Sequence, residues 1–256
     1  MRHPISGIEA GAATHIGKVR QHNEDNYILA TPRGFWAVAD GMGGHEAGDL
    51  ASHVVIEELE AIAAPSTAAE LLASCEASMT VANRRLKELS EVRNGALVGT
   101  TVAVLLVFET LYAGVWSGDS RIYRIRRQVI EQITLDHSEI QELISEGKIN
   151  AEEARAWPRR NVITRAIGVS DDPELEMKSG TLEPGDIFIL CTDGLTAHVE
   201  DSEILELASR HHPQEACDLL VALTLERGAV DNVTVVAVQF NSTAPATPSV
   251  GADVWE

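Results

Sequence analysis

Five short acidic motifs lie along this sequence, each at a turn or at the end of an apolar run. They are Asn-Glu-Asp at 23–25, Asp-Gly at 40–41, Gly-Asp-Ser at 118–120, Asp-Gly at 193–194 and Asp-Asn at 231–232. A carboxylate just beyond a buried strand is held rigidly while its oxygens point into a cleft, which suits a hard cation such as Mg²⁺ or Mn²⁺. The motifs together therefore indicate a metal site made of oxygen ligands.

A single Asp-Gly pair is more often an ordinary turn, because glycine tolerates the backbone angles that tight turns need. The repetition of acidic residues at five strand ends is harder to explain by turns alone. Arg20 lies four residues before Glu24. Arginine presents paired donors in one plane and stays protonated at any working pH, so Arg20 is a candidate ligand for a phosphate group, with a surface charge as the alternative.

The elements that must position these residues can be read from the apolar pattern. Short runs rich in Val, Ile, Leu and aromatic residues predict strands at 35–39, 100–108, 111–117, 187–192 and 232–240. Apolar residues at helical spacing predict helices at 46–63, 67–89, 202–210 and 213–226. Strands cluster and helices come in pairs, which favours an α+β sandwich with helices covering antiparallel sheets over a doubly wound parallel sheet.

Composition points to one domain. The chain has 256 residues, 45% of them hydrophobic, and the interior has no Pro/Gly/Ser-rich linker or repeat. We expect the domain to occupy residues 1–240, with a polar flap at about 138–165. The segment 241–256 contains two prolines and many small residues, and is expected to be a disordered tail.

Charge and cysteine content narrow the class of partner and the compartment. The formal net charge of −19 repels phosphate backbones, so no nucleic acid is expected as a partner. The cysteines at 75, 191 and 217 are odd in number and lack CxxC spacing, which favours reduced thiols and a cytoplasmic location. No stretch approaches the roughly 18 apolar residues of a membrane span, so a soluble protein with no membrane contact is expected.

Seven segments taken in order resemble the PP2C-type (PPM family) metal-dependent protein phosphatases, particularly their compact bacterial members. The segments are GKVRQHNEDN, FWAVADGMGGHEAG, GTTVAVLL, WSGDSRIYR, NVITRAIG, ILCTDGLT and VDNVTVV, and they span roughly residues 10 to 240. The resemblance implies a four-layer α-β-β-α sandwich, in which two antiparallel sheets are flanked by helix pairs. It also implies a protein serine/threonine phosphatase with two Mn²⁺ or Mg²⁺ ions in a cleft between the sheets.

The resemblance also assigns the metal ligands. By motif position, Asp40 would bridge both metals, while Asp193 and Asp231 would complete the coordination of one of them. The carbonyl of Gly41 and the carboxylate of Glu24 would serve the other metal. Two such cations, about 4 Å apart, would activate a water for direct in-line attack on phosphorus.

The remaining positions either receive a role from the resemblance or depart from the family pattern. Asp25 would act on the metals through water, and Arg20 would bind the substrate phosphate. A weak third metal would use Asp119, but Ala197 stands where many relatives carry an aspartate ligand for it. Met42 replaces the histidine that many eukaryotic relatives have after Asp-Gly, so protonation of the leaving group would fall to water.

The expected substrates are phosphoserine and phosphothreonine proteins, and the expected partners include a bacterial serine/threonine kinase whose action the enzyme reverses as a monomer. The alternative is a catalytically inert relative that uses the same sandwich to bind phosphoproteins. A cysteine-dependent phosphatase is excluded, because no arginine follows any cysteine at the required sixth position. A zinc peptidase and a nucleotide-binding loop are excluded because HExxH, GxGxxG and GxxxxGK[ST] are absent.

Overall fold

The computed structural model describes residues 7–43, 47–150, 153–154, 157, 159, 162–241 and 255. The strands are β1 Ile8–His15, β2 Asp25–Ala30, β3 Phe35–Met42, β4 Gly99–Thr100, β5 Val102–Phe108, β6 Leu111–Ser117, β7 Arg121–Arg126, β8 Val129–Gln132, β9 Glu176–Thr181, β10 Ile187–Cys191 and β11 Val233–Phe240. The α-helices are α1 Ala47–Glu60, α2 Ala68–Val92, α3 Glu139–Ser145, α4 Asp193–Thr196, α5 Asp201–Arg210 and α6 Pro213–Glu226. A 3₁₀ turn at Thr31–Arg33 joins β2 to β3.

The strands form two antiparallel sheets. One sheet has five strands in the order β1-β11-β10-β7-β8. The other has the order β2-β3-β5-β6-β9, with the short strand β4 paired to β3. The expected α+β class with two antiparallel sheets is confirmed.

Side-chain alternation along β3 shows how the layers are built. Phe35, Ala37 and Ala39 belong to an apolar cluster shared with α1 and α2. Trp36 and Val38 point to the opposite face and join a second cluster, to which both sheets contribute. Because successive side chains of a strand face opposite sides, one continuous apolar run fills two cores at once.

A third apolar cluster lies between the five-stranded sheet and the second helix pair. It combines inward residues of β7, β10 and β11 with those of α5 and α6, for example Ile189, Val235, Ile204 and Leu220. The three clusters separate four layers, in the order helices, sheet, sheet, helices. This is the predicted four-layer sandwich.

The two ends of the predicted flap are bonded to each other. Helix α3 begins after Ser138, whose hydroxyl accepts the N–H of Gln141 at 3.3 Å. Ser138 also forms an isolated β-bridge with Ile163, and the N–H of Glu139 donates to the carbonyl of Val162 at 2.9 Å. Parts of the flap, at 151–152, 155–156, 158 and 160–161, lie outside the described residues.

Most of the segment expected to be a disordered tail, 242–254 and 256, also lies outside the described residues. Trp255 is described, and it is buried, with 4% of its surface exposed. Its side chain joins the apolar cluster between the six-stranded sheet and α1 and α2. Among the helices that the structure describes, none has the length and apolar character needed to cross a bilayer.

Candidate metal centre

The acidic motifs of the two sheets meet at one cavity. Asp40 comes from the six-stranded sheet, Asp193 and Asp231 flank strands of the five-stranded sheet, and Asp119 lies in the turn between the two sheets. The cavity has a volume of about 310 Å³, and its described lining residues are Arg20, Glu24, Asp40, Gly41, Met42, Gly43, Thr101, Asp119, Ile163, Asp193, Asp231 and Asn232. Every predicted site residue except Asp25 therefore lines one cavity.

Asp40 is held on three sides by the backbone and by threonines. Its N–H donates to the hydroxyl of Thr101 at 3.1 Å, and its carbonyl accepts from the N–H of Thr101 and the hydroxyl of Thr100, both at 2.9 Å. The Thr101 hydroxyl also shares a hydrogen bond of 2.7 Å with Ser120. Since Ser120 follows Asp119, this hydroxyl pair couples the positions of two acidic residues of the cavity.

Asp25 stands behind the cavity, directly opposite Asp40 in the β2–β3 pairing. Its side chain is buried, and Oδ2 accepts the hydroxyl hydrogen of Thr192 at 2.8 Å. Its other oxygen, Oδ1, has no hydrogen-bond partner in the described structure. A buried carboxylate oxygen without a partner is unusual, because the desolvation penalty is then left uncompensated. The oxygen is a natural acceptor for a water or for the ligand shell of a cation.

Close backbone packing requires the glycine of both Asp-Gly motifs, which lie within β3 and at the start of α4 rather than in turns. A Cβ atom at Gly194 would lie 1.8 Å from the carbonyl oxygen of Asn232, and one at Gly41 would lie 1.9 Å from the carbonyl oxygen of Gly48. Real Cβ atoms do not approach carbonyl oxygens so closely. These glycines are therefore required by the contact that brings Asp193 beside the start of β11, and β3 beside α1.

Arg20 binds an acidic residue of the cavity. Its Nη2 donates to Oδ2 of Asp231 at 2.7 Å, and this hydrogen bond is the main cause that raises the pKa of the guanidinium. About half of the Arg20 side chain, 51%, remains exposed. The arginine therefore lies at the mouth of the cavity, where its remaining donors are open to a ligand.

Burial and mutual repulsion raise the pKa values of these carboxylates. Loss of solvation raises the pKa of Asp25 to about 7, although the hydrogen bond from Thr192 lowers it, and repulsion from Asp193 and Asp231 adds to the rise. Loss of solvation and neighbouring carboxylates raise the pKa of Asp193 to about 6, that of Asp119 to about 8, and that of Asp40 well above its usual value. So much negative charge in one cleft is stabilised when a cation enters it.

The residues present fit a divalent cation by their chemistry. The donors are carboxylate and carbonyl oxygens, and no cysteine or histidine lines the described wall of the cavity. Within the described residues, no three His, Cys, Asp or Glu side chains are arranged, as they stand, so that they could hold a metal ion. The site is instead a ring of carboxylates around a cavity, with Asp231 drawn towards Arg20 and Asp25 carrying a free acceptor oxygen.

Asp119 also faces a second cavity, of about 440 Å³, which lies under the flap. Its described walls include Asp119, Asp193 and Ala197, together with Ile140 and Ile144 of helix α3. Ala197 stands beside the acidic residues at the position where the sequence lacks an aspartate. Asp119 and Asp193 therefore border the place expected for a third metal, Asp136 and Asp231 line the same cavity, and the side chain of Ala197 there is apolar.

Three positioning residues were missed as such in the sequence, although all lie inside the motifs. Thr101 holds Asp40, Thr192 holds Asp25, and Asn232 holds the loop that carries Glu24. Oδ1 of Asn232 accepts the N–H of Glu24 at 2.8 Å, and its Nδ2 donates to the carbonyls of Ile16 and His22 at 2.8 and 2.9 Å. In the sequence, the only sign of this anchoring role was the side-chain amide of Asn232 directly after Asp231.

Asn232→Ala is expected to lower the free energy of unfolding by about 2–4 kcal/mol, because it removes three hydrogen bonds from a buried amide and leaves their partners unpaired. Urea denaturation followed by circular dichroism measures this loss. Asn26→Ala is the control. Within the described residues the Asn26 side chain only accepts the N–H of its neighbour Tyr27, so this variant should lose less than about 1 kcal/mol of unfolding free energy. Equal effects in the two variants would contradict the anchoring role of Asn232.

His137 positions the turn before Asp119. Its Nδ1 accepts the N–H of Gly118 at 3.1 Å, and its ring stacks on Trp116 with the ring centroids 6.1 Å apart. Burial is the largest cause that lowers the pKa of this histidine. Arg165, at the end of the flap, donates to Glu176 at 2.6 Å and fixes the flap to β9. Both residues lie outside the described lining of the acidic cavity.

Comparison with known proteins places this chain in a family. A family model described as Stage II sporulation protein E (SpoIIE) matches residues 149–241. Protein phosphatase PhpP of Streptococcus pneumoniae is 32% identical over 243 residues, which cover 91% of this chain and 98% of PhpP.

Solved structures give the same result. PppA, described as a key regulatory component of T6SS in Pseudomonas aeruginosa, has a TM-score of 0.86 and 37% identity, and the match covers 92% of this chain and 99% of PppA. The catalytic domain of the serine/threonine protein phosphatase PstP, solved in complex with two manganese ions, has a TM-score of 0.82 and 34% identity over 92% of this chain and 99% of that domain. The chain therefore belongs to the PP2C-type (PPM) family of protein serine/threonine phosphatases.

Proposed function

We propose that this enzyme hydrolyses phosphoserine and phosphothreonine on proteins with a pair of Mn²⁺ or Mg²⁺ ions held in the acidic cavity. The convergence of Asp40, Asp193 and Asp231 on one cavity, from strands far apart in the sequence, carries the proposal. In it, Asp40 would serve both ions, and Asp193 and Asp231 would complete the ligands of one of them. Glu24 and the carbonyl of Gly41 would serve the other ion.

When bound, two divalent cations supply Lewis acidity, which lowers the pKa of water and neutralises charge on the phosphoryl oxygens. The protein's own groups then position the reactants. Arg20 binds the phosphate through its planar pair of donors at the mouth of the cavity. Asp25, fixed by Thr192, offers its free Oδ1 to a water behind the cavity and so orients it. Met42 has no proton to give, so water must protonate the departing serine or threonine oxygen.

A weak third cation site is part of the proposal. Asp119, Asp193 and Asp231 line both the acidic cavity and the cavity under the flap, and Asp119 and Asp193 would supply the carboxylates for the third ion. Ala197 offers no ligand there. A site with two protein carboxylates and otherwise water is expected to bind a divalent cation more weakly than the main pair of sites.

The biological setting is proposed by analogy with the family. The enzyme would act as a monomer in the cytoplasm and reverse the action of a bacterial serine/threonine kinase. The three cysteines are free and buried, which is compatible with a reducing compartment. Kinase substrates, and the kinase itself, would then be its phosphoprotein partners.

Manganese-dependent turnover tests the proposed function against an inert binding module. The purified chain is stripped with EDTA and assayed on p-nitrophenyl phosphate and on a phosphothreonine peptide, before and after the addition of MnCl₂. The enzyme should turn over both substrates only after Mn²⁺ is added. Binding of the phosphopeptide without turnover at saturating Mn²⁺ would support the inert module instead.

Arg20→Ala is expected to raise the KM for phosphopeptides by about tenfold and to change kcat by less than about threefold, because it removes phosphate binding more than water activation. Steady-state kinetics at saturating Mn²⁺ measure both constants. Arg20→Lys keeps the charge but loses the planar pair of donors, so its KM should lie between those of Arg20→Ala and the wild type. A large fall in kcat with KM unchanged would contradict this role.

A further inference from the structure

A separate cavity, of about 480 Å³, lies beside the amino-terminal end of α1. Its described lining residues are His22, Asp49, Leu50, His53 and Arg93. Three of these five side chains can donate N–H groups to an anion. None of them belongs to the predicted flap, and none lines the acidic cavity.

Within the described residues the side chain of Arg93 has no partner, although the chain is rich in carboxylates. The chain carries a net charge of −19, and arginines such as Arg85, Arg121 and Arg126 each bind carboxylates. Arg93 is partly buried at the end of α2, where its backbone N–H donates to carbonyls of that helix and its carbonyl accepts the N–H of Ala96 at 3.3 Å. Within the described residues its guanidinium forms no ion pair or hydrogen bond. A partly buried arginine left unpaired among so many acids is available to an external anion.

The walls of this cavity continue into those of the acidic cavity. Asp49 follows Gly48, whose backbone lies so close to Glu24 that a Cβ at position 48 would be 2.5 Å from the Glu24 Oε1 atom. His22 lies between Arg20 and Glu24 in the sequence. The carbonyl of His22 is also fixed by Asn232 at 2.9 Å. Arg93 therefore shares a cavity with His22, a sequence neighbour of the proposed phosphate-binding and metal-binding residues Arg20 and Glu24.

We propose that this cavity is a second anion subsite, which binds a carboxylate or a second phosphate of the substrate protein next to the phosphoresidue being hydrolysed. The proposal rests on the proposed function. Arg93 supplies a planar pair of donors, and the imidazoles of His22 and His53 supply single N–H donors on the facing walls. Leu50 gives an apolar surface for the aliphatic part of the bound side chain. Asp49 opposes anion binding and so limits its strength.

The electrostatic field of the negatively charged protein and the proposed subsite predict opposite substrate preferences. A net charge of −19 attracts basic peptides and repels acidic ones. If that field alone set substrate choice, basic phosphopeptides would be preferred. A preference for acidic flanks can arise only from local groups that overcome the field, and Arg93 heads such a group on the described surface next to the acidic cavity.

Four phosphothreonine peptides of equal length test the subsite in the wild-type enzyme with saturating Mn²⁺. One has glutamines on both sides, one has three aspartates before the phosphothreonine, one has three aspartates after it, and one carries a second phosphothreonine. At least one anionic peptide should have a kcat/KM about fivefold higher than the glutamine peptide. Comparison of the aspartate peptides with the doubly phosphorylated one separates carboxylate from phosphate as the bound group.

Two variants with opposite expected effects link the preference to the cavity. Arg93→Ala should abolish the ratio of kcat/KM between anionic and neutral peptides, and Arg93→Lys should keep part of it. Asp49→Asn should raise the same ratio, because it removes the opposing charge. Arg84→Ala is the matched control, since Arg84 is exposed on the same helix and does not line the cavity. Its ratio should match the wild type.

The outcomes separate the subsite from the function on which it rests. If the wild type hydrolyses the glutamine peptide but prefers none of the anionic ones, the subsite is refuted and the phosphatase activity stands. If Arg93→Ala lowers the rates on neutral and anionic peptides by the same factor, Arg93 supports the fold and the subsite is again refuted. If no phosphopeptide is hydrolysed with Mn²⁺ present, the proposed function fails and the subsite fails with it.

Discussion

Asp193→Asn is expected to lower turnover by about 10³-fold or more while the fold is retained. An amide keeps the shape of the side chain but loses the negative charge that a hard cation needs, so the ion that activates water is bound weakly or wrongly. The mutated group lies at the first residue of α4, next to the tight contact of Gly194 with Asn232. Since asparagine fills the same volume, this contact is preserved, and the loss reports on charge alone.

The experiment compares kcat on p-nitrophenyl phosphate across a titration of MnCl₂, with circular dichroism and thermal unfolding as checks on the fold. The variant should need more Mn²⁺ for half-maximal activity and should still turn over slowly at saturation. Asp201→Asn is the matched control, because Asp201 is exposed at the start of α5 and does not line the cavity. Turnover of a folded Asp193→Asn enzyme within about tenfold of the wild type would refute the assigned role.

The sequence predicted the inner strands well, because these strands are buried on both faces. β3, β5, β6, β10 and β11 consist of Val, Ile, Leu, Ala and aromatic residues with almost no exposure. Such strands give continuous apolar runs that can be read without any structural knowledge. The helix pairs were equally visible from their apolar spacing.

The strands that were missed are mostly edge strands. β1 and β8 border one sheet, and β2 and β9 border the other. An edge strand is partly exposed and carries polar or small residues, so its pattern is weak. β9, for example, reads EMKSGT.

β7 is an inner strand that was missed for a different reason. Its sequence RIYRIR alternates arginine with apolar residues. The arginines are neutralised by carboxylates that are distant in the sequence or on the neighbouring strand: Arg121 pairs with Asp136, and Arg126 with Asp186, which is fully buried. Those partners cannot be identified from a single sequence, so the strand read as a polar segment.

In the site, the sequence predicted the functional residues but not the residues that position them. The acidic residues and Arg20 could be named from their motifs, since each motif combines a carboxylate with a turn residue. The hydrogen bonds that hold them could not, because they join residues far apart in the chain, such as Thr192 with Asp25 and Asn232 with Glu24. A side chain that positions another has no local signature of its own.

The metal-free enzyme is expected to lose thermal stability as the pH rises from 6.5 to 8.5. In the folded state the pKa is raised to about 7 for Asp25 and about 8 for Asp119, chiefly by loss of solvation, while both groups return to ordinary values near 4 in the unfolded chain. The folded state therefore holds protons that the unfolded state has released. Stability falls with rising pH until the pH passes the folded-state pKa, and it is level above that value.

The pH window starts at 6.5 because His137 has the opposite effect on stability below that pH. Burial lowers the pKa of this histidine, so the folded state disfavours its protonated form and stability falls as the pH is lowered. With EDTA present, the midpoint of thermal unfolding should fall by about 5 °C across the window. Adding MnCl₂ should remove most of this fall, because cations in the cleft stabilise the ionised carboxylates.

Asp119→Asn separates this effect from a general response to pH. The variant has lost one of the carboxyl groups whose pKa lies in the window, so its EDTA-treated midpoint should fall less than that of the wild type and should be higher at pH 8.5. The exposed variant Asp201→Asn should follow the wild type. A wild-type midpoint that is level or rises between pH 6.5 and 8.5 in EDTA would show that ionisation of these buried carboxylates costs no stability in the absence of metal, and that the acidic cavity does not hold the unfavourable charge that cations are proposed to stabilise.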